Sequence, residues 1–233
     1  GGHLFEIGGG PGGLTTVALG QGYSVTVIEK DPRAVRHLES EFTDDIERGY
    51  LCVVEGDALR YVPAKNVNWI VGNIDYAITS PLLARIDEIY AHSKEMRPCA
   101  SILIQREVAD RLAPSAVGRS RSSLGMVLGL TWDIELGRVI PAARFKPRPA
   151  VDGQILVLRP SPTRGEMNNL RLARRLIRAG FAHRRRKLSN VFGRTPNKIE
   201  RIDGWGKKQW SQAMAVLLDC STRMTLEKRA EEL

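Results

Sequence analysis

The chain has 233 residues, of which 42% are hydrophobic and 26% charged, and it carries a formal net charge of +9. This apolar share is enough for one large core or two smaller ones, and it excludes a disordered or collagen-like protein. No apolar run approaches the length of a bilayer-spanning helix, so we expect no membrane contact. Three scattered cysteines (Cys52, Cys99 and Cys220) and four scattered histidines predict no zinc site and a reducing, cytoplasmic location.

The basic excess is confined to the last third of the chain. Residues 161–233 contain 17 Lys and Arg against 7 Asp and Glu, a balance of +10, which leaves 18 and 19 in residues 1–160, a balance of −1. Such asymmetry predicts two domains, one over residues 1–160 and a basic one over residues 161–233 that faces a polyanion.

From residue 3 to about residue 106, short apolar segments alternate with amphipathic ones. Helices are predicted between the apolar segments, for example over Arg33–Arg48 and Pro81–Ala91. This alternation is typical of an α/β fold with a doubly wound, Rossmann-like parallel sheet. The predicted strands are His3–Ile7, Ser24–Ile28, Leu51–Val54, Trp69–Val71 and Ser101–Ile104.

The pattern changes after this region. Residues 123–136 are apolar and fit a helix or a strand equally well, whereas Gln154–Leu158 predicts a late antiparallel strand. Two prolines make Arg159–Pro162 the best candidate linker. The segments beyond it have helical periodicity and predict a small all-α domain, with helices over Leu170–Gly180, Arg184–Phe192, Lys207–Leu218 and Thr222–Leu233.

A glycine-rich turn follows the first predicted strand, in the segment Glu6–Thr15. Glycines at this place allow a nucleotide to approach the backbone. Glu29 ends the next strand, 21 residues after Gly8, where an acid accepts hydrogen bonds from ribose hydroxyls. The turn and Glu29 fit NAD and S-adenosylmethionine alike, because GxGxxG alone is a weak motif.

Two further segments distinguish these cofactors. The turn Glu55–Ala58 follows the third strand and suits an adenine amino group, and Asn73-Ile74-Asp75-Tyr76 follows the fourth strand. The tetrapeptide resembles the Asn-x-Pro-Tyr motif of amino-methyltransferases, in which the Asn side chain and a backbone carbonyl receive the target N–H groups and the aromatic ring stacks on the base.

The chain resembles the KsgA family of ribosomal RNA adenine N6,N6-dimethyltransferases in four ordered blocks. Tyr76–Leu82 resembles the continuation of the catalytic motif, and Gln105–Arg111 resembles a Q-x-E-V-A-x-R segment. Phe145–Asp152 matches an F-x-P-x-P-x-V-D stretch, and Phe181–Leu188 resembles an arginine-rich C-terminal helix. The blocks run from residue 6 to about residue 192. The resemblance implies a class I methyltransferase with S-adenosylmethionine as cofactor and small-subunit ribosomal RNA as partner.

The resemblance also implies the site residues. The catalytic residues would be Asn73, Asp75, Tyr76 and Phe145, with Tyr76 and Phe145 on the two faces of the flipped target base. The cofactor would be held by Glu6, Gly8, Gly10, Gly12, Glu29, Lys30, Asp57, Ala58 and Asn73. We expect RNA contacts from Arg175, Arg178, Arg184, Arg185, Arg186 and Lys187, since residues 171–187 contain eight cations and no acid.

Two departures from the family bear on activity. Members carry a segment before the first strand that helps to close over the cofactor, and this chain begins after it, so we expect a missing N-terminal segment. Asp75 stands where the family usually has proline, whose fixed φ an aspartate lacks. These departures motivate an alternative, an RNA-binding assembly factor with weak or no catalysis.

Two more alternatives remain open. A large-subunit ribosomal RNA adenine methyltransferase would share the catalytic motifs. An NAD-dependent oxidoreductase would explain the glycine-rich turn and Glu29, but neither Asn73–Tyr76 nor the basic C-terminal third. We expect a monomer, because no spare apolar stripe stands out.

Overall fold

The computed structural model describes residues 1–63, 66–90, 97–116, 121–161, 170–192, 206–220 and 227–232. The contacts within the chain divide it into two compact units. Unit 1 comprises Gly1–Asp110 and Thr131–Gly165, and unit 2 comprises Arg111–Leu130 and Glu166–Leu233. Each unit is described by itself.

Unit 1 is built on a seven-stranded sheet with the strand order β3-β2-β1-β4-β5-β7-β6. The first five strands are parallel, and β7 runs antiparallel to both of its neighbours. This confirms the Rossmann-like methyltransferase sheet and the late antiparallel strand. The strands are β1 (His3–Ile7), β2 (Ser24–Glu29), β3 (Leu51–Glu55), β4 (Trp69–Asn73), β5 (Cys99–Gln105), β6 (Trp132–Ile140) and β7 (Gly153–Pro160).

Five helices follow the parallel strands: α1 (Gly13–Gly20), α2 (Pro32–Glu41), α3 (Thr43–Glu47), α4 (Thr79–Tyr90) and α5 (Arg106–Leu112). Asp31 caps α2 by accepting a hydrogen bond from the backbone N–H of Arg33 at 2.9 Å. The single helix predicted over residues 33–48 is wrong, because the backbone leaves helical geometry at Phe42 (φ −114°, ψ 31°), whose side chain is buried.

The core of unit 1 explains why these strands are continuous apolar runs. Four of the five residues of β1 are buried, since parallel strands are covered on both faces. On one face, Val25 and Val27 pack with Leu38 of α2, and all three are almost fully buried. Because β1, β2 and β4 are parallel, their carboxyl ends meet on one side of the sheet, which we call the carboxyl edge.

Unit 2 is helical in the residues described, with α6 (Ser123–Leu128), α7 (Leu170–Ala182), α8 (Leu188–Phe192) and α9 (Lys207–Cys220). Helix α7 packs against α6 and α8. A buried cluster around Leu188, Phe192, Trp210 and Met214 forms its core. The ambiguous segment 123–136 therefore holds both a helix and the start of β6.

Three sequence predictions at this end of the chain are wrong. The linker cannot begin at Arg159, because Arg159 and Pro160 belong to β7 and pair with Asp133 and Trp132 of β6. The helix predicted from Arg184 begins only at Leu188, and residues 183–186 form turns instead. The last predicted helix, Thr222–Leu233, is also not found where the structure describes it, because Arg229 forms a β-bridge with Lys187 and Ala230–Glu232 form a 3-10 turn. Residues 222–226 and 233 of that prediction lie outside the described residues.

Candidate active site

The sheet brings the glycine-rich turn and the Asn73 tetrapeptide together. Ile7 at the end of β1 pairs with Ile28 on one side and Gly72 on the other, so the residues after these strands are neighbours. The backbone N–H of Gly8 donates to the Ile28 carbonyl at 2.9 Å. A Cβ atom on Gly8 would lie 3.8 Å from the carbonyl oxygen of Asn73. The segments predicted for cofactor binding and for catalysis are therefore adjacent.

The glycine-rich turn is closely packed on one side and open on the other. A Cβ atom on Gly9 would lie 2.6 Å from Val27 Cγ1, and one on Gly12 would lie 2.6 Å from the Phe42 ring. A Cβ atom on Gly10 would meet no other atom within 4 Å. Sequence reasoning singled out Gly8, Gly10 and Gly12 but not Gly9, whose need for glycine comes from a side chain on β2. The turn therefore leaves open space beside Gly10.

Glu29 ties the turn to the end of β2. Its Oε2 accepts a hydrogen bond from the backbone N–H of Gly10 at 3.0 Å, and its Oε1 accepts from the N–H groups of Lys30 (2.6 Å) and Asp31 (2.9 Å). A carboxylate offers about four acceptor positions, so three are already used and one remains on Oε2. That remaining position is the one available to a ribose hydroxyl.

Glu6 lies beneath the turn and is 1% exposed. Its Oε2 accepts a hydrogen bond from the Thr15 hydroxyl at 2.7 Å. Burial raises the pKa of Glu6, the hydrogen bond from Thr15 opposes this shift, and the negative charge of Glu29 adds to it, so that the pKa reaches about 7. Glu6 thus joins β1 to α1 inside the fold. Its assignment to the cofactor site stays a prediction.

Asp57 and Lys30 lie beside each other after β3 and β2. Asp57 Oδ1 accepts from the Leu59 N–H at 2.9 Å, and its Oδ2 lies 4.0 Å from the Lys30 ammonium nitrogen. The Lys30 side chain is largely exposed. The Gly56 N–H donates to the Glu29 carbonyl at 2.8 Å, which places the turn that contains Asp57 and Ala58 next to Glu29. An adenine and its ribose would therefore find their proposed partners on neighbouring strands.

Asn73 ends β4 with an exposed side chain that makes no hydrogen bond to the residues described. Asp75 then starts a 3-10 turn over Tyr76–Ile78, and its Oδ1 accepts from the Ala77 N–H at 3.0 Å. The φ of Asp75 is −54°, which lies within the range that proline imposes. Its side-chain hydrogen bond therefore holds a geometry that a proline ring would fix covalently.

Phe145 is half-buried and approaches the same edge from the β6–β7 connection. A Cβ atom on Gly153 would lie 3.3 Å from Phe145 Cζ and 3.0 Å from Leu103 Cδ1. Leu103 in turn pairs with Asn73 in the sheet. The sheet therefore connects Phe145 to the tetrapeptide through two neighbouring positions, as expected if both face one substrate.

In the sequence, Asp152 stands out only as the last residue of the Phe145–Asp152 motif. The structure shows three interactions of this residue in the site. Its Oδ1 accepts from the Ala142 N–H at 2.9 Å, and its carbonyl oxygen accepts from the Arg106 N–H at 3.0 Å. Together with burial, its negative charge raises the pKa of Tyr76. The distance in sequence between these partners explains why no local pattern could reveal its role.

The predicted RNA-binding residues of unit 2 have different environments. Arg178, Arg185 and Arg186 are exposed, whereas Arg175 is only partly exposed. Arg184 lies with its guanidinium 5.3 Å from the centre of the Phe181 ring and donates to the Arg121 carbonyl. Lys187 forms an ion pair with Glu227.

Arg174, which lies four residues before Arg178 in α7, is buried. The side chain of Arg171 lies outside the described part. Because Arg184 and Lys187 already have partners, the three of the six predicted RNA-binding residues that are exposed and form no ion pair with the described residues are Arg178, Arg185 and Arg186.

The part of the chain that the structure describes contains no group of three or more His, Cys, Asp and Glu side chains that could hold a metal ion. These residues form no candidate metal site. They also contain no helix that is long and apolar enough to cross a membrane.

Comparison with known proteins identifies the family. The profile of the ribosomal RNA adenine dimethylase family matches residues 2–203. A protein of Natronomonas pharaonis is 35% identical over 193 residues, which cover 83% of this chain and 68% of that relative. The ribosomal RNA small subunit methyltransferase A of Anaeromyxobacter sp. (strain K) is 32% identical, over 82% of this chain and 69% of its own length.

Among solved structures, a dimethyladenosine transferase from Plasmodium falciparum has the same fold, with a TM-score of 0.77 and 23% identity over 100% of this chain and 86% of the other. The family profile covers most of the chain, and it includes every segment that forms the candidate active site. The chain belongs to the ribosomal RNA adenine dimethylase family.

Proposed function

We propose that this chain transfers two methyl groups from S-adenosylmethionine to the exocyclic N6 atom of adenines in small-subunit ribosomal RNA, during ribosome biogenesis. The observation that carries the proposal is the position of Asn73. Its backbone carbonyl oxygen lies 3.8 Å from where a Cβ atom on Gly8 would stand, and its exposed side chain at the end of β4 makes no hydrogen bond to the residues described. Family membership and the names of the relatives support the same activity.

The residues at the carboxyl ends of β1, β2 and β3 fit S-adenosylmethionine. The open side of Gly10 admits the ligand, Oε2 of Glu29 has one acceptor position for a ribose hydroxyl, and Asp57 Oδ2 suits the adenine amino group. Glu6, Gly8, Gly12, Lys30, Ala58 and the backbone of Asn73 complete the proposed set. When bound, S-adenosylmethionine supplies an electrophilic methyl group on a positively charged sulfur.

The contribution of the chain is to orient the target nitrogen. The lone pair of N6 is delocalised into the adenine ring, which makes the amine a poor nucleophile. Before the first transfer, the Asn73 amide oxygen and a backbone carbonyl near Asp75 would each accept one N–H and draw the nitrogen toward tetrahedral geometry. Before the second transfer, one of these two acceptors would bind the single N–H that remains. Each transfer displaces one proton from N6, which would pass to water. Fixed orientation of this kind can lower a barrier by several kcal/mol, about 7–11 in the best intramolecular cases.

The target base must leave its stack to reach the site. Tyr76 and Phe145 are both partly exposed, and each would cover one face of the base. Stacking on an aromatic side chain contributes about 1–3 kcal/mol per base. The phosphate backbone would be bound by Arg178, Arg185 and Arg186 of unit 2. Arg175 would contribute less because it is only partly exposed, and Arg184 and Lys187 because they already have partners.

The conformation of one residue, Asp75, supports an active enzyme over the alternative of an inactive assembly factor. Asp75 adopts the φ of a proline, so the departure from the family leaves the backbone of the tetrapeptide suited to catalysis. We further propose that the protein acts in the cytoplasm as a monomer, on the assembling small ribosomal subunit.

The direct test incubates the protein with radiolabelled S-adenosylmethionine and undermethylated small ribosomal subunits, then digests the RNA. We expect label in N6,N6-dimethyladenosine. Cofactor binding without any label in small-subunit RNA would refute the enzyme and support the assembly factor. Label found instead in large subunits, offered in parallel, would support the large-subunit alternative.

A further inference from the structure

The near-neutral balance of residues 1–160 conceals an uneven distribution of charge across the sheet. Residues 39–47 contain five acids and no cation, and residues 138–148 contain four cations and no acid. The first segment lies in α2 and α3, which pack on β3 at one edge of the sheet, whereas the second connects β6 to β7 at the other edge. Unit 1 therefore has an acidic edge and a basic edge.

Three cations of the basic edge surround the candidate base-stacking residue. Arg144, Lys146 and Arg148 alternate with Phe145 and Pro147, and all three side chains are exposed while Phe145 is half-buried. None of the ion pairs among the described residues includes any of the three. Three like charges within five residues repel one another, and a bound polyanion would neutralise them. We call Arg144, Lys146 and Arg148 the cationic turn.

The cationic turn is anchored at the carboxyl edge of the sheet, where the parallel strands end. Asp152 binds the Ala142 N–H two residues before Arg144, and β7 begins at Gly153 opposite Gln105 of β5. Gly153 also lies against Phe145. The three charges therefore flank the place where the target base would stack, within unit 1 itself.

We propose that the cationic turn binds the RNA phosphates next to the flipped adenine, as a second RNA contact in addition to the arginines of unit 2. This inference rests on the proposed function, since it takes RNA to be the substrate. Contacts to phosphates fix register without reading sequence. The cationic turn would therefore hold the backbone while the base occupies the site between Tyr76 and Phe145.

The test compares two triple variants with the same loss of charge. The turn variant is Arg144→Gln/Lys146→Gln/Arg148→Gln. The matched control, Arg33→Gln/Arg36→Gln/Arg48→Gln, removes three exposed cations near the acidic edge. Binding to unmethylated small ribosomal subunits is measured between about 50 and 200 mM salt, together with the KM for subunits and the affinity for S-adenosylmethionine.

We expect the slope of log K against log salt to become shallower by about 2–3 for the turn variant, at about 0.7–0.9 per lost phosphate contact. Its KM for subunits should rise at least tenfold with cofactor affinity unchanged, and the control should match wild type. The charge-retaining variant Arg144→Lys/Arg148→Lys should keep the wild-type slope. If that variant loses the slope as well, the shape of the turn and not its charge is responsible, and the proposal is wrong.

Binding and methylation by the wild type distinguish a failure of this inference from a failure of the proposed function. If wild type methylates the subunits and the turn variant equals the control in slope and KM, only the cationic turn is refuted. If wild type neither binds nor methylates the subunits, the proposed function fails and the inference fails with it.

Discussion

The carboxylate of Asp152 accepts a hydrogen bond from the backbone N–H of Ala142 at 2.9 Å, and so fixes the turn that leads to Phe145. The same residue accepts from the Arg106 N–H through its carbonyl oxygen. Asp152 thus holds the β6–β7 connection through its side chain and the start of α5 through its backbone carbonyl. Asp152 is a positioning residue, since it acts through Phe145 and not on the substrate.

Asp152→Ala should lower methyl transfer by raising the KM for RNA, with cofactor affinity unchanged, because the turn before Phe145 loses its anchor. The lost hydrogen bond should cost about 1 kcal/mol of stability. Asp152→Asn keeps an acceptor oxygen and should stay close to wild type in KM. Removing the negative charge should also lower the pKa of Tyr76, which a spectrophotometric titration of both variants would measure. An unchanged KM in Asp152→Ala would contradict the positioning role.

Glu6 predicts a pH-dependent stability. Its carboxyl has a pKa of about 7 in the folded chain against 4.5 as its ordinary value, so the folded state holds the proton more tightly. The stability that protonated Glu6 contributes is full below about pH 4.5 and is lost as the pH rises through about 7. The loss is on the order of 3 kcal/mol.

Urea unfolding between pH 4.5 and 8 measures this effect. Glu6→Gln should flatten the dependence, because the amide oxygen still accepts from Thr15 but carries no proton to lose. The control Glu39→Gln, on the exposed surface of α2, should keep the wild-type profile. Parallel profiles for wild type and Glu6→Gln would show that Glu6 does not titrate in this range.

Asn73→Ala should abolish methyl transfer and leave cofactor affinity nearly intact, since the amide is assigned to the target amine. Isothermal titration with S-adenosylmethionine and single-turnover labelling of small subunits separate the two effects. Equal losses in binding and transfer would mean that Asn73 holds the cofactor and does not orient the substrate.

Asp75→Pro should fold as stably as wild type, within about 1 kcal/mol, because φ at this position is already −54°. Transfer should be retained or faster, and chromatography of digested RNA would compare monomethyl with dimethyl products. Asp75→Gly, which loses both the side-chain acceptor and the restriction on φ, should be slower. Inactivity of the proline variant would show that the carboxylate itself takes part in the reaction.

The arginines of unit 2 should separate into two classes. Arg185→Gln/Arg186→Gln should weaken RNA binding and flatten its salt dependence, with little change in thermal stability. Arg184→Gln should lower the stability of the helical unit, because it removes the contact with Phe181 and the hydrogen bond to Arg121. Identical behaviour of the two variants in both assays would contradict this division.

The sequence predicted the parallel strands to within two residues at each end, because strands buried on both faces form unbroken apolar runs. It did not reveal the break at Phe42, where the apolar periodicity continues although the backbone turns. Pro160 indicated a linker, yet pairing with Trp132 extends β7 to that residue. The missed features therefore depend on partners outside the local pattern.

The site shows the same division. The glycines and Glu29 were identified from their places after the first strand and at the end of the second, and Asn73 was identified from the resemblance of its tetrapeptide to the amino-methyltransferase motif. Gly9 and Asp152 were not singled out, because their importance comes from Val27 and Ala142, which are distant in sequence. Arg184 was grouped with its neighbours by charge, but Arg121 gives it a different role.

The hydrogen bonds of Glu29 affect how variants at this position should be interpreted. Its carboxylate organises three backbone N–H groups before any ligand arrives. Glu29→Ala would therefore disorganise the peptide around Gly10 and Asp31 as well as remove a ribose partner. A drop in cofactor affinity in that variant measures the cost of rebuilding the binding loop together with the lost contact. Truncation of the ligand, by removing one ribose hydroxyl at a time, isolates the contact alone.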